Sequence, residues 1–246
     1  MSYITTMIVS DGIVMAADSA CSMLRVVDTK NIHNNNYDNA IQNITGDQMA
    51  IDYQNVIGSY IISKSVQKLW EMKKCPIAIS SGQETITRNT GKSIQPYINF
   101  FCNNNCYDNP KDAALDLLQL IRSVDPTIGA IFHVCGYNPS SSIPYPEFWV
   151  VDIAKGMLTC ALKQGQGGFN YHGANDFFTP YALMISQNLI YFTLQDAIDI
   201  TLLAFNMSIK LQKFIKLEQY IAPPIDLLVI TPSGIKWIQK KELRGE

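Results

Sequence analysis

The sequence predicts an α+β fold built as a four-layer αββα sandwich, in which two β-sheets stack between two layers of helices. Two observations support this architecture. Blocks of strand-like sequence alternate with pairs of helical segments, and a chain of 246 residues, 47% of them hydrophobic, can bury a substantial core. No internal repeat or linker-like stretch divides the chain, so we expect a single domain spanning residues 1–246.

The first block of strands begins with a hairpin. The strand-like segment from Tyr3 to Val9 is followed by Asp11-Gly12, a strong hairpin-turn dipeptide, and then by the apolar run Ile13–Ala17. Asn-rich sequence with weak periodicity then occupies about 22–58, and we interpret it as an insertion that leaves the core. Strand-like sequence resumes at 59–62 and 75–80.

Two helical segments are expected next, one over about 83–101 and one that begins at Asn109-Pro110. Asn is a favoured N-cap residue and Pro fits the first helical position. The later elements follow the same logic, with Thr193 and Asp196 close to a capping box. These elements are strands at 128–137, 148–153 and 157–162, helices at 179–187 and 194–213, and a closing hairpin with strands at 227–230 and 235–238.

Charge and composition exclude several classes of partner. Lys and Arg total 19 against 21 Asp and Glu, so the chain has no basic field for nucleic acid or for a membrane surface. No apolar run reaches the roughly 20 residues that cross a bilayer. The first residues lack a signal-peptide pattern, which favours a cytoplasmic protein with reduced thiols.

The six cysteines do not predict a metal site. Cys102 and Cys106 form a C-x3-C pair, but no second Cys/His pair stands at zinc-site spacing, and His133 and His172 are isolated in the sequence. We therefore expect neither a metal nor a cofactor.

The residue with the clearest chemical potential is Ser2. If Met1 is removed, Ser2 combines a hydroxyl nucleophile with its own α-amine as the base. An α-amine titrates near pH 8, so it suits base catalysis at neutral pH better than a surface Lys. Taken alone the observation means little, because Ser is common at the second position.

Three linked segments give this position more weight, because together they resemble the proteasome β-type subunit family. The first runs from Ser2 through the Asp11-Gly12 turn to Ala16-Ala17-Asp18-Ser19, and the second is Ser63–Trp70. The third is Ile77–Gly82. Further similarity lies at Pro180–Leu183 and in the closing hairpin.

The resemblance implies an N-terminal nucleophile hydrolase fold and assigns roles to four residues. Ser2 is the implied nucleophile, Lys68 the charge that activates it, and Asp18 the partner of Lys68. The backbone N–H of Gly82 is the implied oxyanion donor. The pocket for the residue before the cleaved bond would be lined by Cys21, Val66, Trp70, Ser80, Glu84 and Arg88.

The chain also departs from the family pattern. Ser2 stands where the family has Thr, and Gly173-Ala174-Asn175 replaces a G-S-G segment. The auxiliary Asp and Ser fall loosely on Glu218 and Ile221, in a segment rewritten by Pro223-Pro224. These changes put efficiency and substrate class in question.

Three functions follow as hypotheses. The first is an N-terminal serine amidohydrolase or peptidase that cleaves peptide bonds without a cofactor. The second is a non-catalytic, proteasome-like structural or assembly subunit. The third is a hydrolase for a non-peptide amide. The resemblance also implies self-assembly into a ring or another homo-oligomer.

Overall fold

The computed structural model describes residues 3–28, 55–83, 85–87, 90–138, 144–162, 166–173, 189–214 and 221–241. The strands are, in chain order, β1 (Tyr3–Val9), β2 (Gly12–Ala17), β3 (Cys21–Asp28), β4 (Asn55–Ser63), β5 (Leu69–Glu71), β6 (Ile77–Gln83), β7 (Ala130–Asn138), β8 (Tyr145–Asp152), β9 (Met157–Cys160), β10 (Gly168–Gly173), β11 (Asp226–Thr231) and β12 (Gly234–Gln239). The α-helices are α1 (Gln95–Asn104), α2 (Pro110–Val124) and α3 (Leu194–Leu211).

Two five-stranded antiparallel sheets carry most of this structure. The N-terminal sheet has the strand order β10-β1-β2-β11-β12, and the central sheet has the order β5-β6-β7-β8-β9. The strands β3 and β4 form a separate antiparallel ribbon, which overlaps the predicted insertion at 22–58 and extends past it to Ser63. The segment 29–54 between these two strands lies outside the described residues.

The two sheets face each other across an apolar core. Side chains of β1 alternate between its two faces, as a strand requires. Ile4 and Ile8 join the core between the sheets, whereas Tyr3 and Met7 pack on the side that holds α3. The central sheet contributes Ala78, Cys135 and Phe148 to the core between the sheets, and its other face packs against α1 and α2.

A polar contact also joins the sheets at one pair of open edges. The indole Nε1 of Trp237, on β12, donates a hydrogen bond to Oε2 of Glu71, on β5, at 2.8 Å. Among the described strands, β5 and β12 are the edges of their sheets, so this bond joins one sheet to the other at an edge.

The helix starts follow from local chemistry. Asn109 caps α2 through a 2.9 Å hydrogen bond from the Asp112 N–H to its side-chain oxygen, and Pro110 occupies the first turn. At α3 the side chain of Thr193 and that of Asp196 form a reciprocal capping box. The starts that the sequence predicts for these two helices are therefore confirmed.

The four-layer αββα sandwich is wrong. The described residues form a mostly antiparallel two-sheet β structure with three α-helices, rather than two sheets between two layers of paired helices. The sequence predicts a pair of helices after each block of strands, but the first of these segments is helical over only part of its length. The strand β6 continues to Gln83, an isolated bridge pairs Ile86 with Ser93, and Gly91 has φ +66°. Helical structure starts only at Gln95, and the segment 179–187 lies outside the described residues.

Candidate functional site

A buried carboxylate lies where β2 ends, beside the start of β1. Asp18 is fully buried, and its Oδ1 accepts a hydrogen bond from the backbone N–H of Tyr3 at 2.8 Å. Its Oδ2 accepts from the N–H groups of Ala20 at 2.9 Å and Ala222 at 3.4 Å. The hairpin register explains the first contact, because Ile4 pairs with Ala17, which brings the two adjacent residues together as well.

Lys68 completes a buried ion pair with this carboxylate. Its Nζ lies 2.7 Å from Oδ1 of Asp18, and the two side chains are 1% and 0% exposed. The ammonium also donates to the carbonyl oxygen of Ala20. Lys68 directly precedes the edge strand β5, so its side chain reaches from the central sheet to the end of β2.

Burial has the largest effect on the pKa of Lys68. The loss of hydration lowers the pKa of Lys68, while the neighbouring Asp18 carboxylate acts in the opposite direction and favours the charged form. Two of the three ammonium N–H donors have acceptors among the described residues, namely Asp18 and Ala20. The pair therefore brings a fixed positive charge next to the backbone of Tyr3.

Gly82 brings the central sheet close to the same strand. A Cβ atom at this position would lie 3.0 Å from Cγ1 of Ile4 and 3.5 Å from the carbonyl oxygen of His172. Gln83, the next residue, has φ +62°, a left-handed conformation that non-glycine residues rarely adopt. Backbone strain of this kind clusters at functional sites, and no sequence pattern indicates it at Gln83.

Four of the predicted pocket residues lie in the described part of the chain, and they do not all lie together. Val66 contacts the Asp18 segment through a 3.1 Å hydrogen bond from its N–H to the carbonyl of Ser19, and Cys21 lies near enough to act on the Lys68 charge. Ser80 is buried on β6, and its hydroxyl has no partner among the described residues.

Trp70 lies apart from these residues. Its ring packs in the core beneath α1, and its Nε1 donates to Oδ1 of Asn99 at 2.6 Å. Side chains alternate along β5, so Leu69 faces the other sheet and Trp70 faces the helices. Ser2, Glu84 and Arg88 lie outside the described residues.

Two groups of polar residues were missed from the sequence. One is a second buried ion pair, in which Nζ of Lys241 lies 2.6 Å from Oδ2 of Asp226. The other is a histidine pair between the sheets, in which Nε2 of His133 lies 2.7 Å from Nδ1 of His172. Both groups join residues that are far apart in the chain, and nothing in their local sequence marks them.

The histidine pair extends to a threonine on β1. Oγ1 of Thr6 lies 2.8 Å from Nδ1 of His133. Burial, with the neighbouring His172 second, lowers the pKa of His133 well below its usual range. His133 is therefore neutral at pH 7.

Within the described ranges, no group of three or more His, Cys, Asp or Glu side chains is arranged to hold a metal ion. Across the same residues, none of the helices combines the length and the apolar character that a membrane span requires.

The family assignment from the sequence is corrected by the comparisons with known proteins. No family model matches the chain, and no curated protein matches it either. The solved structures that match nearly the whole chain include Anbu proteins, and neither a family model nor a curated protein supports the proteasome β-type family, so the identification with that family is wrong. The three segments that carry the resemblance are short, and short segments alone do not establish a family.

Two of these matches cover nearly the whole chain. An Anbu (Gly-1) mutant from Hyphomicrobium sp. strain MC1 is 15% identical, with a TM-score of 0.60, over 98% of this chain and 86% of that one. Anbu (ancestral beta-subunit) from Yersinia bercovieri is also 15% identical, with a TM-score of 0.59, over 98% and 88% of the two chains. At this identity the likeness shows that the chain shares the Anbu fold.

Proposed function

We propose that this protein is an N-terminal serine amidohydrolase that cleaves peptide or related amide bonds, with Ser2 as the nucleophile after removal of Met1. One observation carries the proposal. The backbone N–H of Tyr3 and the ammonium of Lys68 bind the same buried oxygen, Oδ1 of Asp18, at 2.8 and 2.7 Å. Ser2 is covalently joined to Tyr3, and the proposal places its hydroxyl and its amine beside this charge.

The proposed reaction uses few groups. The α-amine of Ser2 takes the hydroxyl proton as Oγ attacks the carbonyl carbon, and the proton then passes to the leaving amine. Water afterwards hydrolyses the acyl ester on Ser2. The charge on Lys68 favours the deprotonated hydroxyl and disfavours a second ammonium beside it. Its third N–H, which no described acceptor takes, is available to Oγ of Ser2.

Gly82 is the proposed donor to the oxyanion of the tetrahedral intermediate. A single backbone donor of this kind contributes about 3–4 kcal/mol in comparable sites. The close approach of Gly82 to Ile4 supports this role, because it brings β6 against the strand that begins next to Ser2. The shared fold with Anbu, described in one case as an ancestral beta-subunit, is compatible with the proposal, although a fold alone does not define an activity.

The direct test combines intact-mass spectrometry with a covalent probe. We expect the protein to lack Met1 and to add one equivalent of a β-lactone or epoxyketone at Ser2. Ser2→Ala should abolish both labelling and peptide hydrolysis, while Ser10→Ala, at an exposed position in the β1–β2 turn, should leave both unchanged. Activity in a protein that retains Met1 would overturn the mechanism, because the proposed base would then be an amide.

A structural role is the second candidate, and one observation favours it. Asp18 accepts hydrogen bonds from the amides of Tyr3, Ala20 and Ala222, so it would hold three segments together even in an inactive subunit. Loss of hydrolysis in Ser2→Ala, with the folding stability unchanged, would reject this candidate. Absence of hydrolysis in the wild-type protein over a broad peptide and amide panel would favour it.

A further inference from the structure

The second buried ion pair lies directly behind the segment that carries Asp18. The ammonium of Lys241 binds Oδ2 of Asp226 at 2.6 Å, the hydroxyl of Ser19 at 3.0 Å and the carbonyl oxygen of Val66 at 2.7 Å. Its three N–H donors are thus all used, and its side chain is 4% exposed. The backbone N–H of Lys241 donates to the other oxygen of Asp226 at 2.8 Å.

The contacts of Lys241 converge on the two segments that present the candidate catalytic pair. Ser19 follows Asp18 and Val66 lies two residues before Lys68, and the two segments also touch through the hydrogen bond from the Val66 N–H to the Ser19 carbonyl. The hydroxyl of Ser19 accepts from Lys241 and donates to the carbonyl of Pro224. The ammonium therefore connects both segments to β11, the strand that begins at Asp226.

We propose that Lys241 is a positioning residue for the candidate site, because its buried ammonium ties the Ser19 and Val66 segments to Asp226 and acts as a second positive charge behind Lys68. The inference rests on the function proposed above only in calling the Asp18–Lys68 pair catalytic. The contacts themselves hold whatever reaction occurs.

Besides these hydrogen bonds, the charge of Lys241 has an electrostatic effect on Lys68. The groups that act on Lys68 are Asp18 at the end of β2, Cys21 at the start of β3 and Lys241 after β12, with Asp226 paired to Lys241. Lys241 lowers the pKa of Lys68, because two like charges in a buried region disfavour each other. Asp226 offsets part of this effect.

Removing the positive charge of Lys241 and removing the negative charge of Asp226 should shift the titration midpoint of Lys68 in opposite directions. The titration of Lys68 can be followed by NMR on protein labelled with ¹⁵N-lysine, its signal being assigned by its loss in Lys68→Arg. Lys241→Met removes a positive charge and leaves Asp226 charged, so we expect the titration midpoint of Lys68 to rise. Asp226→Asn keeps Lys241 and removes the negative charge, so the midpoint should fall.

Lys240→Met is the matched control. Lys240 is exposed, precedes Lys241 directly and lies 4.9 Å over the ring of Trp237, so its loss should leave the Lys68 titration unchanged. If both Lys241→Met and Asp226→Asn match this control, the proposal is overturned. If Lys241→Met does not fold, the nearly isosteric Asp226→Asn decides alone by the same criterion.

A second measurement connects the pair to the reaction. We expect Lys241→Met to slow probe labelling of Ser2 by about 10- to 100-fold, as small misplacements of reacting groups commonly do. Lys240→Met should label at the wild-type rate. If the wild-type protein is not labelled at all, the proposed function fails, while the Lys68 titration still decides the role of Lys241.

Discussion

The energetic importance of Asp18 and Lys68 lies in the cost of separating them. Two charges that are almost fully buried lose their hydration, and their attraction repays this loss only while both are present. Asp18 has three further donors, in the amides of Tyr3, Ala20 and Ala222. Among the residues that the structure describes, Lys68 has only the carbonyl of Ala20 besides Asp18. The lysine therefore depends more on the pair than the aspartate does.

This asymmetry leads to a prediction for single and double variants. We expect Asp18→Asn to lower the free energy of unfolding by about 3–5 kcal/mol, and Lys68→Met to lower it by less. The double variant should lose less than the sum of the two losses, because neither change then leaves a charge unpaired. Urea denaturation of the four proteins measures these differences.

Lys64→Met provides the control for this cycle. Lys64 lies on the same segment but is exposed, so its replacement should change the free energy of unfolding by no more than about 0.5 kcal/mol. Strictly additive losses in the double variant would show that the two side chains do not act as a pair.

At the scale of single elements, the start of α2 depends on one side chain. The first N–H groups of a helix have no partner within it, and the side chain of Asn109 satisfies that of Asp112. Asn109→Ala should lower the free energy of unfolding by about 1 kcal/mol. Asn109→Ser, which restores a capping oxygen, should recover most of this loss in urea denaturation. Equal losses in both variants would contradict the capping role.

The elements that the sequence predicts well are those whose signals are local. The β1–β2 hairpin forms where Asp11-Gly12 predicts it, with Ser10 and Asp11 in the loop and Gly12 as the first residue of β2. Asn109-Pro110 likewise marks the start of α2, because each signal depends on a few adjacent residues. The segment 83–101 was predicted as one helix, yet β6 continues to Gln83 and α1 starts at Gln95. Pairing with Ala130 on β7 keeps Gln83 in a strand, and a local sequence pattern does not reveal this long-range contact.

The same distinction holds for the candidate site. Asp18 and Lys68 are candidates from the sequence because short segments around them resemble a known family. The 2.7 Å contact between their side chains joins positions 50 residues apart, so no local pattern predicts it. Lys241 and Asp226 had no comparable signal. A lysine side chain ordinarily lies in solvent, and only the folded arrangement of β11, β12 and the Ser19 segment buries this one.

At the scale of the whole molecule, His133 joins the two sheets. It lies on β7 of the central sheet, whereas its partners Thr6 and His172 lie on β1 and β10 of the N-terminal sheet. The core between the sheets thus contains an imidazole that burial holds neutral. Protonation of this ring would place a charge between two apolar surfaces.

Acid should therefore weaken the fold. The pKa of His133 is lower in the folded protein than in the unfolded chain, where it is about 6.5. Below that pH the unfolded chain binds a proton that the folded protein does not, so the free energy of unfolding falls as the pH falls, by up to about 1.4 kcal/mol per pH unit from this group. Urea denaturation at pH 7.5, 6.5 and 5.5 measures the slope.

Replacement of the ring should change that slope. We expect His133→Gln to be less stable than the wild-type protein at pH 7.5, because packing against Phe148 is lost, but to depend less on pH between 7.5 and 5.5. His172, whose pKa burial also lowers, should account for part of the remaining dependence. A slope in His133→Gln equal to that of the wild-type protein would show that this ring is not the group that senses acid.

The hydrogen bond between Trp237 and Glu71 has a practical consequence for watching the two sheets separate. Of the three tryptophans in the chain, Trp70 and Trp149 lie on the central sheet, and Trp237 lies on the other. The indole of Trp237 is anchored at the seam, with its N–H on a carboxylate of the opposite sheet. A variant with Trp70→Phe and Trp149→Phe would keep Trp237 as its one tryptophan. Its emission wavelength would then report, in real time, the entry of water between the two sheets at this contact.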